Sequence, residues 1–171
     1  MSKDARPSQR PQGAAPKKGD SPKHTPRIAN RRALYDYHVL ERVEAGLELV
    51  GSEVKSVRAG RVQLAQAFAR IRNGEAFLFG CHIDEYEEAH ALNHDPIRVR
   101  RLLLHRREIR KLTQRLQKET GSTLIPLEIY FKRGYAKVQL ALAKGKAKYD
   151  KRASIKERED KRNMAQALRR R

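Results

Sequence analysis

Alternation of apolar and polar positions predicts two β-hairpins in this chain. The first joins residues 67–72 to residues 75–82 through Asn73-Gly74, a dipeptide that tolerates the positive φ values of a two-residue turn. The second joins two period-2 runs, within residues 125–142, through Arg133-Gly134. The sets that share a strand face are Ala67, Ala69 and Ile71; Phe77, Phe79, Cys81 and Ile83; Ile125, Leu127, Ile129 and Phe131; and Ala136, Val138, Leu140 and Leu142.

A strand followed by a short helix is predicted between Gly46 and Gly60. The strand runs to Val50, Gly51 interrupts it, and Ser52 is placed to cap the helix. The helix has an apolar face and a cationic face, formed respectively by Val54 and Val57 and by Lys55, Arg58 and Arg61. We expect this stretch to bury one apolar seam and to project three cations.

Two further elements are predicted before that junction. Asn30 can cap a short helix that reaches Leu34. A strand with alternating apolar positions begins near Asp36 and ends in a turn at Glu44-Ala45-Gly46. This turn leads directly into the strand-to-helix junction.

A longer helix is predicted between residues 105 and 119, where Ile109, Leu112 and Leu116 form a core-facing stripe. It follows a polar segment at 84–97 that we interpret as a loop. The count is five to six strands and about three helices without a βαβ rhythm, which favours a mainly β fold, a small antiparallel barrel of OB type. A flat α+β sheet is the competing architecture, and the order of elements does not decide between them.

The net charge of +19 is distributed unevenly along the chain. Residues 1–32 contain nine Lys and Arg against two acidic residues, residues 144–171 contain twelve against four, and the middle contains eighteen against fourteen. Such an excess points to a polyanionic partner. We therefore predict a disordered basic arm at 1–27, an RNA-binding barrel at 28–143, and a basic tail at 144–171 that becomes helical on a nucleic-acid surface.

Patterns typical of catalysis and metal binding are weak. Ser52 and His105 could act as nucleophile and base, but no oxyanion-hole motif accompanies them. His90 and His94 are four residues apart, yet the Asn and Asp-Pro around them disfavour a helix that would bring both to one metal. The sequence therefore predicts no enzyme activity, no cofactor and no metal.

The single cysteine, Cys81, excludes an internal disulfide and favours a reducing compartment. No run approaches the roughly eighteen apolar residues that a membrane span needs. The first residues lack the apolar segment of a secretory signal. We expect a soluble cytoplasmic protein without a membrane partner.

RNA is the polyanion that the remaining features favour. Lysines and arginines can contact phosphates, and five aromatic residues could either stack on bases or belong to the core: Tyr35, Tyr37, Phe68, Tyr130 and Tyr135. Glu44 could accept a hydrogen bond from a base amino group or a sugar hydroxyl, or it could be an ordinary turn residue. These residues alone fit a generic OB-type single-strand RNA binder or a ribosome-associated protein.

Several motifs are long enough to identify a family. They are Asn30-Arg31-Arg32-Ala33, Asp36-Tyr37, Glu44-Ala45-Gly46, GSEVKSVRAG at 51–60, GEAFL at 74–78, NHDPIRVRRLLLHRREI at 93–109, Phe131-Lys132, AKGKAKYDKR from 143 and IKERE ending at 159. The chain resembles the bacterial tmRNA-binding proteins, the small protein B or SsrA-binding protein family. The resemblance runs in order through about residues 28–160.

The resemblance implies an OB-like barrel that is not an enzyme. Such a protein binds the tRNA-like domain of tmRNA and delivers it, with elongation factor Tu, to ribosomes stalled without a stop codon, the process of trans-translation. Its tail folds as a helix in the empty mRNA channel at the decoding centre. We expect a monomer that carries out this ribosome rescue.

The resemblance also implies two sets of site residues. The tmRNA face comprises Asn30, Tyr37, Glu44, Leu103, His105 and Lys137, to which Lys55 and Arg58 are added because of their charge. The tail segment at the decoding centre and mRNA channel comprises Lys144, Gly145, Lys146, Tyr149, Asp150, Lys151, Arg152, Ile155, Lys156, Glu157 and Arg158. In this interpretation Tyr149 is placed to stack on an exposed ribosomal base.

Overall fold

The computed structural model describes residues 26–147 and 163–164, without the side chains of residues 90–92. The strands are β1 (Ile28–Ala29), β2 (Tyr37–Leu47), β3 (Val62–Gln63), β4 (Phe68–Arg72), β5 (Glu75–Phe79), β6 (His82–Ile83), β7 (Arg100–Leu103), β8 (Ser122–Lys132) and β9 (Tyr135–Gly145). The α-helices are α1 (Ala33–Asp36), α2 (Gly51–Arg58) and α3 (Arg106–Lys118), and a 3-10 helix spans Glu87–Leu92.

Strand pairing closes six of these strands into a ring. The strands β8, β4, β5, β7, β2 and β9 pair antiparallel in that order, and β9 pairs back onto β8. The short β1 is added to β8, and β3 and β6 form a separate two-stranded ribbon. The predicted OB-like barrel is therefore confirmed, and the flat α+β sheet is not the architecture.

The main core fills the ring and is extended by two helices. Leu78, Leu124 and Leu140 point inward from three strands, and each is at most 1% exposed. Val57 from α2 and Leu112 from α3 join the same cluster. Each buried aliphatic side chain of this size contributes about 1.5–3 kcal/mol to folding. The two predicted helices are thus fixed to the barrel by their apolar stripes.

A smaller core lies on the outer face of the β8–β9 hairpin. Ala141 and Ala143 belong to it, whereas the residues between and beside them belong to the main core, as the two-residue period of a strand requires. Ile125 and Leu127 from β8 complete it, and Ala33 of α1 covers it. The short helix α1 is therefore packed against the end of the hairpin from which the tail leaves.

Both hairpin turns follow the sequence prediction. Asn73 and Gly74 have φ values of 50° and 75°, and the second turn has 52° at Arg133 and 83° at Gly134. Two consecutive positive φ values are typical of a two-residue type I′ turn. The predicted face of the first strand is confirmed, since Ala67 and Ala69 belong to the main core and Ile71 packs against it, whereas the predicted face of the second strand is wrong.

Gly80 explains the difference between the predicted and observed faces. Phe77 and Phe79 lie on the outside of β5, whereas Cys81 and Ile83 are fully buried. Gly80 has a φ of 63°, which interrupts the extended backbone between Phe79 and Cys81. The alternation is therefore reset at this glycine, and the four residues do not share one face.

The junction between β2 and α2 differs from the prediction in two respects. Glu44-Ala45-Gly46 lies inside β2, which continues to Leu47, so the predicted turn is wrong. The amide of Val50 donates to Oε2 of Glu53 at 2.9 Å, and this carboxylate, not Ser52, satisfies the start of the helix. A long strand paired on both sides replaces the turn because β2 has neighbours in β7 and β9.

The segment at 84–97 contains the 3-10 helix, and β9 extends past the predicted start of the tail to Gly145. The arm before residue 26 and the tail at 148–162 and 165–171, including its predicted folding on RNA, lie outside the described residues. Within the described ranges, no helix is long and apolar enough to cross a membrane.

Candidate nucleic-acid interface

Glu44 lies at the centre of a polar cluster on the outer face of β2, β9 and β8. The register places Lys137 on β9 opposite Tyr130 on β8 and two pairs along the β2–β9 ladder from Glu44. The hydroxyl of Tyr130 donates to Oε2 of Glu44 at 2.5 Å, and Nζ of Lys132 lies 3.2 Å from the same oxygen. Nζ of Lys137 lies 3.7 Å from Oε1. One carboxylate is therefore held by a phenol and two ammonium groups.

These contacts set the charge of the cluster. The hydrogen bond from Tyr130, followed by that from Lys132, lowers the pKa of Glu44 below its ordinary value. Burial, followed by the bond to Glu44, raises the pKa of Tyr130 to about 12. At neutral pH the face therefore presents a carboxylate, a protonated phenol and two cations. The side chain of Glu44 is 34% exposed, so its remaining acceptor capacity can reach a ligand.

Arg27 extends this cluster along β8. Its guanidinium lies 5.3 Å from the ring centroid of Tyr130, and its Nη2 lies 2.9 Å from Oε1 of Glu128. The sequence predicts residue 27 to be part of the disordered arm and does not indicate Lys132, so both are additions that the structure makes to the predicted face. The guanidinium of Arg27 thus covers one side of the Tyr130 ring. The hydroxyl of Tyr130 holds Glu44 in the cluster.

Four of the predicted residues line one open groove between the barrel and α3. They are Glu44, Leu103, His105 and Lys137, and the groove has a volume of about 1240 Å³. Leu103 is 52% exposed and lies opposite Gly46, where a Cβ would approach the Cβ of Leu103 to 3.1 Å. The glycine therefore leaves the room that Leu103 occupies at the base of the groove.

The α3 side of the groove is basic. The amide of His105 donates to Oε2 of Glu108 at 2.8 Å, which caps the start of the helix and leaves the imidazole exposed. Arg106, Arg110 and Lys111 line the groove from the first two turns. Lys111 also pairs with Glu41 of β2, and this bond lowers the pKa of Glu41. The groove thus has a cationic wall that faces the carboxylate cluster.

Asn30 and Tyr37 lie on a separate hollow of about 290 Å³ beside α1. Asn30 is 8% exposed; its Nδ2 donates to the carbonyls of Leu64 at 2.9 Å and Pro126 at 3.1 Å, and its Oδ1 accepts from the amide of Ala33. The three bonds use the donors and one acceptor of the amide. Asn30 therefore fixes α1 to the barrel and does not offer its side chain to a ligand, whereas Tyr37 remains half-exposed.

The structure separates the α2 cations from Glu44. Nζ of Lys55 lies 4.6 Å from the ring centroid of Tyr86, and Arg58 lies 5.4 Å from that of Phe131 at the end of β8. Arg61 pairs with Glu87 at 2.7 Å. The acidic loop at 84–97 therefore engages two of the three cations that are predicted to project, whereas Arg58 lies over Phe131, a residue between Tyr130 and Lys132 on β8.

The same loop is docked on α2 by a histidine. Nδ1 of His94 lies 2.9 Å from Oγ of Ser52, and its Nε2 lies 3.2 Å from the carbonyl of Ile83. Ser52 therefore contacts His94 and not His105, with which it was paired in the sequence analysis. Among the described residues, no group of three or more His, Cys, Asp or Glu could hold a metal ion.

A buried ion cluster fixes α2 to β7. Arg98 donates to both oxygens of Glu53 at 2.7 and 2.5 Å, and Arg100 donates to Oε1 at 2.9 Å. Burial acts to raise the pKa of Glu53, but the bonds from Arg98 and the Val50 amide and the charge of Arg100 outweigh it, so this pKa is lowered. The side chains of Glu53 and Arg100 are both 0% exposed. This cluster is structural, and sequence reasoning did not find it.

The beginning of the tail is attached to the barrel. Lys144 and Gly145 are the last residues of β9, opposite His38 and Tyr37. The amide of Lys146 donates to the carbonyl of Asp36 at 2.8 Å, and its Nζ donates to that of Leu34 at 3.0 Å. The direction in which the tail leaves is therefore fixed next to α1. The predicted residues from Tyr149 to Arg158 lie outside the described part of the chain.

Known proteins share both this sequence and this fold. The SmpB protein family model matches residues 27–170. The SsrA-binding protein of Enterococcus faecalis is 53% identical over 81% of this chain and 90% of its own length, and that of Bacillus cytotoxicus is 54% identical over 82% and 90%. The chain belongs to the SmpB family.

A solved structure supports the assignment to the SmpB family. A chain described as "tmRNA-SmpB: a journey to the center of the bacterial ribosome" is 47% identical, with a TM-score of 0.62 over 76% of this chain and 94% of that one. The family resemblance drawn from the motifs is therefore confirmed. The match also extends across the basic tail up to residue 170, eleven residues beyond the last motif.

Proposed function

We propose that this SmpB-family chain is an RNA-binding adaptor that binds the tRNA-like domain of tmRNA and brings it to stalled ribosomes for trans-translation. The Glu44 cluster is the observation that carries this proposal. Its lysines can bind phosphates, while its carboxylate can accept a hydrogen bond from a ribose hydroxyl or a base amino group. Double-stranded RNA is recognised mainly by its shape, through contacts to phosphates and 2′-hydroxyls. The lysines of the groove can make the first kind of contact, and Glu44 can make the second.

Each residue of the groove has a distinct role in this proposal. Lys132 and Lys137 position the RNA through phosphates, and Glu44 selects it through one accepted hydrogen bond. Leu103 supplies an apolar contact to a sugar or base, and His105 supplies a polar one at the start of α3. Tyr37 contributes from the hollow beside α1, whereas Asn30 acts by holding α1 in place and Lys55 and Arg58 act by charge from α2.

The tail carries the second half of the function. We infer that residues 144–158 enter the empty mRNA channel and reach the decoding centre, with Lys146 setting the direction of the segment. The adaptor works in the cytoplasm as a monomer together with elongation factor Tu and charged tmRNA, and it performs no catalysis itself. A generic single-strand RNA binder is the alternative that the experiments below distinguish.

Binding competition at about 0.15 M salt tests the groove, since non-specific attraction is weakened there. The wild-type protein should prefer a folded tRNA-like RNA to poly-pyrimidine RNA. Glu44→Ala should weaken the folded RNA by about tenfold with little change in salt dependence, whereas Lys137→Gln should lower the salt slope by about one phosphate contact. Glu119→Ala, an exposed acid at the other end of α3, is the matched control.

Equal affinity of the wild-type protein for both RNAs would favour the generic binder.

Ending the chain after Ala147 tests the tail, because this variant keeps β9 and the contacts of Lys146. It should bind the folded RNA as the full chain does and fail to support peptide tagging on stalled ribosomes. Tagging by the truncated protein would contradict the division of labour between groove and tail.

A further inference from the structure

The loop at residues 84–97 concentrates negative charge on a strongly basic protein. It contains five of the chain's twenty acidic residues and no lysine or arginine, although the whole chain has a net charge of +19. We call this segment the acidic loop, and its acids are Asp84, Glu85, Glu87, Glu88 and Asp95. Charges of this sign repel RNA phosphates, so phosphate binding does not account for them.

Backbone and side-chain hydrogen bonds fix the acidic loop beside α2. The amide of Asp84 donates to the carbonyl of Arg61 at 3.1 Å. The side chain of Asn93 accepts from the amide of Tyr86 at 3.1 Å and donates to its carbonyl at 2.9 Å, which closes the loop on itself. His94, which bonds to α2 near the end of the loop, is only 7% exposed. The carboxylates are therefore carried by a fixed part of the surface.

Two acids of the loop are directed at cations on and just after α2. Oε1 of Glu87 lies 2.7 Å from Nη1 of Arg61. Oε2 of Glu88 accepts from the hydroxyl of Tyr86 at 2.5 Å, and the ring of Tyr86 has its centroid 4.6 Å from Nζ of Lys55. The bond to Glu88 raises the pKa of Tyr86, so this phenol stays neutral at physiological pH. The loop thus engages Arg61 directly and Lys55 through an aromatic ring.

Arg58 lies where this engagement ends. Its guanidinium is over the ring of Phe131 on β8, beside the Glu44 cluster. A phosphate backbone held at the Glu44 cluster could continue past Arg58 towards Arg61, because the cations follow one another along this side of the protein. At Arg61 it would meet the carboxylates of the acidic loop instead of a free guanidinium.

The exposure of Glu87 indicates that its main effect is on ligands and not on the fold. Its side chain is 85% exposed, and an ion pair this exposed contributes little to stability. The same carboxylate occupies the guanidinium of Arg61 and adds a negative charge next to it. Specificity is a difference between two affinities, and it increases when the wrong ligand meets an unfavourable charge. Glu87 is placed to provide such a charge.

We propose that the acidic loop is a specificity element that keeps RNA backbones off the end of α2, and that Glu87 acts by withholding Arg61. Single-stranded RNA binds basic surfaces through its phosphates and can follow them, so it loses most from this arrangement. A folded RNA held in the groove keeps its own contacts. The inference rests on the proposed function in taking RNA as the ligand and goes beyond it by identifying what rejects the wrong RNA.

Glu87→Gln tests the proposal in the full chain, because it removes the carboxylate and leaves Arg61 free to bind a phosphate. Fluorescence anisotropy measures binding of a labelled poly-pyrimidine RNA and of a folded tRNA-like transcript between about 0.05 and 0.2 M salt. The poly-pyrimidine RNA should bind this variant about threefold more tightly than the wild type, with a salt slope steeper by about 0.7, the value for one added phosphate contact on a single strand. The preference for the folded RNA should fall by about the same factor.

Three further variants separate the contact from net charge. Glu119→Gln makes the same change of charge at an exposed acid at the far end of α3, and it should leave the salt slope unchanged. Glu87→Asp keeps the carboxylate and should bind both RNAs as the wild type does. In the Arg61→Gln background, Glu87→Gln should no longer strengthen poly-pyrimidine binding beyond the effect of Glu119→Gln, because the cation that it releases is absent.

The proposal is overturned if Glu87→Gln and Glu119→Gln strengthen poly-pyrimidine binding equally, since net charge alone would then explain the change. It is also overturned if the effect of Glu87→Gln is the same with and without Arg61. Circular dichroism checks that each variant folds, and Glu88→Gln, also at an exposed acid of the loop, replaces Glu87→Gln should that variant fail. A wild-type protein that does not prefer the folded RNA would instead count against the proposed function.

Discussion

Replacing Glu53 by glutamine should lower the stability of the barrel more than any change at a surface acid. The carboxylate is 0% exposed and accepts bonds from the Val50 amide at 2.9 Å, from Arg98 at 2.7 and 2.5 Å and from Arg100 at 2.9 Å. Glutamine has the same size but presents an NH₂ group to donors on one side. Arg100, also 0% exposed, would keep its hydrogen bonds to three backbone carbonyls but would lose the negative charge that neutralises it.

The magnitude follows from the burial of both partners. Removing one member of a buried ion pair costs about 3–5 kcal/mol, because an uncompensated charge remains away from water. Domains of this kind are stable by about 5–15 kcal/mol, so Glu53→Gln should use a large part of that margin. With a urea dependence of about 2 kcal/mol per M, the unfolding midpoint should fall by about 2 M.

Urea unfolding followed by far-UV circular dichroism measures this shift, which suits a chain without tryptophan. Glu87→Gln is the matched control, since Glu87 also pairs with an arginine but its side chain is 85% exposed. Exposed pairs contribute about 0–1 kcal/mol, so its midpoint should move little. Equal midpoints for the two variants would refute the reasoning that burial makes the Glu53 cluster important.

The pH dependence of the same variant gives an independent check. The pKa of Glu53 is lowered in the folded protein. Its contribution is therefore present above the pKa of the unfolded state and is lost as the pH falls through the lowered folded value. Stability measured from pH 6 downward should fall less steeply in Glu53→Gln than in the wild type. Parallel curves would mean that the carboxylate does not contribute through its charge.

Three further predictions concern residues inside the fold. Gly80→Ala should destabilise the protein by about 1–3 kcal/mol in thermal melting, since Gly80 has a φ of 63° and a Cβ would lie 2.8 Å from the carbonyl oxygen of Gln66. Cys81, whose pKa burial raises to about 11, should react with a thiol reagent at pH 8 only after urea is added; rapid labelling of the folded protein would contradict its burial. Asn30→Ala should cost about 2 kcal/mol of stability while the folded fraction keeps its RNA affinity, which titration with the tRNA-like transcript would measure.

Local patterns sufficed to predict the elements whose determinants lie close together in the chain. The two hairpins follow from Asn73-Gly74 and Arg133-Gly134, and α3 follows from its apolar stripe. The predicted turn at Glu44-Ala45-Gly46 was wrong because pairing with two neighbouring strands decides the conformation there. The pattern also does not predict the change of strand face at Gly80, because the positive φ of a single glycine produces no periodic signal in the sequence.

The candidate site was predicted mainly through the family resemblance. Glu44, Leu103, His105 and Lys137 do lie on one groove, but no periodicity relates residues from three strands and a helix start. Lys132 is not predicted from the sequence, because its partner Glu44 lies 88 residues away in the chain. The partners of Glu53 are not predicted for the same reason, because Arg98 and Arg100 lie 45 and 47 residues further along the chain. Contacts of this kind depend on the ring being closed.

Closure of the ring also makes the fold dependent on its last strand. β9 supplies the partner of β2 on one side and of β8 on the other, and it starts at Tyr135, near the end of the barrel sequence. A chain that stops before this strand would expose two unpaired edges and the apolar interior together, which are the features that promote aggregation. Partial copies of this protein that lack β9 should therefore aggregate instead of folding into the barrel.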